Sequence, residues 1–331
     1  MPSLYPLRFK PTFRRYLWGG RRLETVLHKP LGPGDDYAES WEIVDHGQDQ
    51  SIISHGELAN STLNQIVTNF PNQLFGKQGH FDSFPLLFKF LDAKRDLSVQ
   101  VHPNDEQGSQ LSPPDRGKTE AWVILDSEPE SKLYAGLKRG FDRAALAREV
   151  ARGTTELCLH SFHPEPGQCL FIPAGLVHAI GAGLLVAEIQ QSSDTTFRLF
   201  DWNRVDATGE PRQLHIEESL ETINYNFGPA TPQTPQPTAD PSRERLVVCD
   251  KFILDRQTGD STAEIGGDGR FHIIAVVEGS LNVSNDPASN ALTLGQTMLL
   301  PACSGKCHIE PTEHSTWLDI YLPSAEELSI E

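Results

Sequence analysis

Residues 167–178 read Gly167-Gln-Cys-Leu-Phe-Ile-Pro173-Ala-Gly175-Leu-Val-His178. The four mostly apolar residues Cys169–Ile172 fit a short buried strand. Pro173 ends it, because proline brings no N–H to a sheet ladder. Gly175 then allows a tight turn, and His178 follows. A related stretch comes later as Gly295-Gln-Thr-Met-Leu-Leu-Pro301-Ala-Cys-Ser-Gly-Lys306. Both share Gly-Gln, four mostly apolar residues and Pro-Ala, so the chain reads as two copies of one β unit. Lys306 stands where His178 stands. If the first copy holds a metal, the second has lost it.

Other short apolar stretches, bounded by Gly, Pro or Asp, read as strands around these two: Leu97–His102, Ala121–Leu125, Leu184–Gln190, Phe197–Trp202, Phe271–Val277 and Met298–Leu300. Two helices are expected. One runs from near Ser61 through Leu63, Ile66 and Val67 toward Phe70 and stops before Pro71. The other has Asp142 as N-cap and Gly153 beyond its end, with Leu146 and Val150 one turn apart. Residues 228–242, GPATPQTPQPTADPS, carry five prolines in fifteen positions and read as an extended linker. The expected organisation is a catalytic domain over 1–228, a Pro/Thr-rich linker over 229–242 and a second, metal-free domain over 243–331 that packs against the first.

The 331 residues suffice for two domains, and the 26 Gly and 24 Pro favour turns and short strands over long helices. A formal net charge of −17 argues against a nucleic-acid backbone as partner. It also requires a local cluster of Arg and Lys wherever an anionic substrate binds. The five cysteines form no CxxC pair and read as reduced thiols in a cytosol. The N-terminal stretch has no apolar signal region, and no run of about 18 apolar residues is present to span a membrane. The expected location is cytoplasmic.

Strand alternation puts Ser98, Gln100 and His102 on one face and Lys118, Glu120 and Trp122 on another. In a small barrel such a face can line an interior pocket. Gln100, His102, Glu120 and His178 together form a nitrogen and oxygen set suited to a metal.

The Gly167-x5-Pro173-x-Gly175-x2-His178 spacing resembles the second motif of the cupin superfamily, although Ala182 replaces the usual Asn. The resemblance implies a mainly β fold: tandem cupin (jelly-roll-like) β-barrels with a few short helices in the first half. It narrows with WGG at 18–20, ESWEI at 39–43, FPLLFKFLDA at 84–93, LSVQVHPND at 97–105, GKTEAWVIL at 117–125, FIPAGLVHAIGAG at 171–183 and EIQQSSDTTFRLFDWNR at 188–204. These blocks, in this order, resemble the short bacterial form of the type I mannose-6-phosphate isomerases.

That resemblance implies one zinc per chain, held by His102, Glu120 and His178 with Gln100 beside them. Four protein ligands would close a tetrahedral zinc, so Gln100 ranks below the other three. A zinc ion's charge against that of Glu120 leaves about +1 to stabilise an enediolate oxygen or polarise a carbonyl. The implied reaction interconverts mannose 6-phosphate and fructose 6-phosphate on a monomer or homodimer, with a small-molecule sugar phosphate as partner. Arg198 is implied at the active site. Arg204 and Ser98 are candidates for the phosphate, and Glu188 and Lys118 for the group that moves a proton between C2 and C1. Lys89 is either a pocket cation or a strand-edge lysine. Two other readings stay open: a cupin oxygenase, since two His and a Glu also hold non-haem iron, and a sugar-binding cupin without turnover. The basic residues Lys118, Arg198 and Arg204 favour a phosphorylated substrate.

Overall fold

The computed structural model describes residues 3–205 and 209–329. The first module is two facing antiparallel sheets. One runs in the order Cys169–Ile172, Glu120–Ser127, Leu184–Gln191, Leu86–Ala93, Tyr37–Ile43, Thr12–Gly20. The other runs Leu159–Phe162, Leu133–Leu137, His178–Ile180, Val99–Val101, Phe197–Phe200. The mainly β, jelly-roll-like fold expected from the sequence is present as two facing sheets, and among the described residues the hydrogen-bond ladder does not continue from one sheet into the other. The corner at residues 173–177 accounts for one such break. Ile172 ends a strand of the first sheet and His178 begins a strand of the second. Pro173 between them cannot extend the ladder, and Gly175 turns at φ 89° while its N–H bonds the carbonyl of His102.

The helices follow their local chemistry. The first spans Leu63–Asn69, capped by Thr62 rather than Ser61. The Thr62 side chain accepts from the backbone of Gln65, whose side chain returns the bond. Such a cap stabilises by about 1 kcal/mol. The second spans Arg143–Arg152, with Asp142 accepting from Ala145 at 2.8 Å and Gly153 left-handed at φ 71°. The strand expected over 197–202 stops at Phe200, because Trp202 and Asn203 adopt positive φ.

The second module repeats the plan. Its larger sheet runs Gln236–Pro237, Arg243–Val248, Ile253–Gly259, Ser315–Tyr321, His272–Glu278, Thr297–Leu300. The smaller runs Ala263–Gly266, Lys306–Pro311, Ser280–Val283, Leu292–Thr293. Strand register makes the repeat quantitative. In the first module Trp41, Lys89, Glu188, Trp122 and Leu170 form one cross-strand row. In the second the corresponding row is Arg245, Asp255, Asp319, Ile274 and Met298. Glu120 pairs with Ile172, and His272 pairs in the same way with Leu300.

The polar row of the second module is closed upon itself. Arg245 and the Tyr321 hydroxyl both bond Asp255, Arg243 bonds Asp319, and His272 Nδ1 lies 2.7 Å from Asp319 Oδ1.

The stretch expected to be a bare linker is docked. Gln233 donates its N–H to the carbonyl of Cys169, and Gln236–Pro237 pairs with Arg245 and Glu244 at the edge of the second module. An edge is where a strand tolerates proline. One apolar core runs through both modules, from Leu7, Phe75 and Phe84 to Phe271 and Leu318. Leu7 and Leu299 exchange both backbone hydrogen bonds, at 2.8 and 2.9 Å.

Candidate metal centre and active site

Three strand ends meet between the sheets of the first module. His102 follows Val99–Val101, Glu120 opens Glu120–Ser127, and His178 opens His178–Ile180. Their ligand-capable atoms all lie within 4.8 Å of one another, and all three residues are buried. His178 Nε2 is 3.3 Å from Glu120 Oε1, and His102 Nε2 is 3.6 Å from Glu120 Oε2.

The backbone fixes both imidazoles. His102 Nδ1 donates to the Thr195 carbonyl at 3.0 Å, and His178 Nδ1 donates to the Leu176 carbonyl at 2.8 Å. A carbonyl only accepts, so each ring carries its proton on Nδ1 and turns a bare Nε2 lone pair inward. Neither Nε2 has a hydrogen-bond partner although both are buried. Burial lowers His178 to about 4 and takes His102 well below its ordinary value, so both rings are neutral near pH 7. Burial also raises Glu120. Two orphaned imidazole nitrogens and a carboxylate that lacks compensation fit a divalent cation held between them. Gln100 is the cross-strand partner of His178, which puts its side chain on the same face.

The centre opens into a cavity of about 290 Å³. Its charged lining comprises the cations Lys89, Lys118, Arg198 and Arg212 and the carboxylates Glu39, Glu120, Glu188 and Asp194. Four against four makes the cavity locally neutral before any metal is added, within a chain of net charge −17. Lys89 Nζ lies 3.2 Å from Glu188 Oε1 and 3.6 Å from Glu39 Oε1. Burial alone would lower Lys89, but Glu188 and Glu39 outweigh it and hold the ammonium charged. Glu188 is raised to about 7 by burial, with Lys89 opposing.

Ser98, Gln100, Lys118, Glu188 and Arg198 all line this cavity together with Glu120 of the metal centre. The Lys118 ammonium has no hydrogen-bond or ion-pair partner among the described residues. Arg198 donates through Nη1 to the Gln213 carbonyl, and its Nε is buried without a partner. Burial and the neighbouring Arg212 both lower Arg198. Arg204 is placed elsewhere. It binds Asp201 and the Asp96 carbonyl and lines an adjoining pocket with Leu17, Arg95 and Val205. Arg212 lines both that pocket and the main cavity, held by both carboxylate oxygens of Asp201 at 2.7 and 2.6 Å. Glu39, Asp194 and Arg212 were not singled out from the sequence, and Lys89 is resolved as a cavity cation.

The pattern described as phosphomannose isomerase type I, catalytic domain, matches residues 6–132. The mannose-6-phosphate isomerase ManA of Bacillus subtilis is 34% identical over 309 residues, covering 92% of this chain and 96% of that one. The mannose-6-phosphate isomerase of Streptococcus mutans is 28% identical over 298 residues, covering 89% and 92%. Among solved structures, the mannose 6-phosphate isomerase from Bacillus subtilis superposes with a TM-score of 0.87 at 27% identity, covering 96% of this chain and all of that one. A variant of the phosphomannose isomerase from Salmonella typhimurium superposes at 0.77 with 17% identity, a likeness of fold alone.

Proposed function

This chain belongs to the type I phosphomannose isomerase family, and we propose that it interconverts D-mannose 6-phosphate and D-fructose 6-phosphate at the His102–Glu120–His178 centre. The observation that carries the reading is the pair of buried, unpartnered Nε2 atoms aimed at Glu120, beside a cavity that holds both proton-transfer groups and two guanidiniums.

The resident metal is zinc. Two neutral imidazoles and one carboxylate are a donor set that suits it and leaves a coordination position for substrate. A dication there supplies positive charge for the oxygen that becomes anionic when the carbon acid is deprotonated.

The reaction moves one proton from C2 to C1 and another from the C2 hydroxyl to the C1 oxygen. Glu188 takes the proton from C2 and returns it to C1. Its Oε1 has no hydrogen bond, only the Lys89 ion-pair contact, and so keeps a lone pair for the task. Lys118 offers three N–H donors and no acceptor to the oxygens whose charge changes. Arg198 and Arg212 hold the phosphate, because both guanidiniums line the cavity and their planar forks suit its oxygens. Ser98 adds a hydroxyl from the cavity wall. No helix among the described residues is long and apolar enough to cross a membrane, and all five cysteines are free. The free thiols support a reducing, cytoplasmic setting.

The test is a coupled assay for fructose 6-phosphate formed from mannose 6-phosphate, run before and after chelation and again after zinc is restored. Activity lost to the chelator and regained with zinc supports both reaction and metal. A folded, zinc-loaded protein without turnover would overturn the reading in favour of a sugar-binding protein.

A further inference from the structure

Five groups from three parts of the chain converge on the carboxylate of Asp115. Its Oδ1 accepts from the Arg116 N–H at 2.8 Å and meets His46 Nε2 at 3.1 Å. Its Oδ2 accepts from the Ser193 hydroxyl at 2.8 Å, the Thr195 hydroxyl at 2.7 Å and the Asp194 N–H at 3.3 Å. Burial would raise this carboxyl, but the bonds from His46, Thr195 and Ser193 overcome it and hold it well below the usual range. A partly buried carboxylate bonded this fully is a fixed point.

Asp115 lies on the loop before Glu120–Ser127, and residues 193–195 lie on the loop after Leu184–Gln191. Those three residues serve the centre at both ends. The Thr195 carbonyl accepts a hydrogen bond from His102 Nδ1–H and sets that ring's tautomer. Asp194 stands in the cavity wall. The segment belongs to no strand, so its own backbone ladder does not hold it. Ser193 and Thr195 reach Asp115 through their hydroxyls, and Ser193 Oγ also accepts from the Thr195 N–H. The carbonyl that orients His102 is therefore aimed by a carboxylate that touches neither metal nor substrate.

We propose that Asp115 is the positioning residue of the metal centre: through Thr195 it fixes the His102 ring in its metal-binding orientation. The proposal rests on the reading of His102, Glu120 and His178 as a zinc site. Partners that orient a metal-bound histidine are worth about 10- to 100-fold in metal affinity. Replacing Asp115 frees Ser193, Thr195 and His46 together, and the Thr195 carbonyl loses its aim.

The experiment measures zinc affinity directly, by competition with a chromogenic chelator on folded, metal-free protein. Wild type, Asp115→Ala, Asp115→Asn and Thr195→Val are compared with Val283→Ala, a core change in the other module that lowers stability without touching this network. The expected result is zinc binding weakened about 10- to 100-fold in Asp115→Ala. Asp115→Asn and Thr195→Val fall between it and wild type, and Val283→Ala binds as wild type does. Cobalt loaded in place of zinc shows an altered visible spectrum in Asp115→Ala. Unchanged zinc affinity in folded Asp115→Ala, or in Thr195→Val should the alanine variant fail to fold, overturns the proposal. So does an equal loss in Val283→Ala, which makes the effect one of stability. If wild type itself binds no zinc, the metal reading fails, and that failure is distinct from failure of the proposal.

Discussion

Lys89 Nζ stands 3.2 Å from Glu188 Oε1 across neighbouring strands, with both side chains more than nine-tenths buried. Glu39 approaches the same ammonium from the next strand at 3.6 Å. One cation between two carboxylates leaves the trio with a single net negative charge, and all three side chains line the cavity. The Glu188→Gln change keeps the shape and removes the carboxylate proposed to carry the proton. Turnover falls by about 10²- to 10⁴-fold, while zinc affinity and the thermal midpoint stay close to wild type. Lys89→Met acts on the fold instead. It strands two buried carboxylates and costs about 3–5 kcal/mol in denaturant unfolding.

Metal removal acts on stability through binding to the folded state alone. Free zinc at a hundred times its dissociation constant adds about 2.7 kcal/mol. His178→Ala removes an imidazole whose Nε2 has no other partner. In calorimetry the wild type shows a midpoint that rises with added zinc, and His178→Ala shows a midpoint that zinc does not move.

If the two cavity guanidiniums hold the phosphate as proposed, binding and chemistry can be separated by substitution. Hydrogen bonds to a charged group contribute about 1.5–3 kcal/mol. Arg212→Ala therefore raises KM for mannose 6-phosphate by roughly 10- to 100-fold with a smaller change in kcat. Arg204→Ala has a weaker effect, because that side chain does not line the main cavity. Steady-state kinetics on both variants at low and high salt checks the assignment. A larger KM effect at Arg204 would reverse it.

His272 makes stability depend on alkaline pH. Burial would lower its pKa, but Asp319 and Asp268 raise it to about 9, with Arg243 beyond Asp319 and the Tyr321 ring against its face. A raised histidine stabilises fully below its unfolded value of about 6.5. That contribution fades as pH rises through about 9, where the folded imidazolium gives up its proton. The thermal midpoint of the wild type falls between those limits. The fall is smaller in His272→Gln, and the two curves draw together above pH 9.

In the sequence, His178 stands out by the Pro173–Gly175 turn before it, and His102 and Glu120 by strand alternation; the family resemblance then joins the three. Lys89 and Glu39 are harder. Leu86–Ala93 and Tyr37–Ile43 are buried on both faces, so alternation carries no information there, and only cross-strand pairing shows that the two side chains meet. The choice between Arg204 and Arg212 turns on the positive φ values of Trp202 and Asn203, which redirect the chain after Phe200. Nothing in residue order signals that reversal. The Pro-rich segment was legible in its composition, but its docking was not, since a hydrogen bond from Gln233 to Cys169 depends on where two distant modules lie.

The paired hydrogen bonds between Leu7 and Leu299 have a consequence for synthesis. Translation at about 5–20 residues per second delivers Leu299 some 15–60 s after Leu7. In the last part of that interval the first module is complete, while Phe252, Phe271 and finally Leu299, which close the shared core, are added only in turn. The nascent chain thus carries an apolar seam open to solvent until nearly all of it has been translated. The price of a shared core is a window in which a chaperone, rather than the second module, must cover the first.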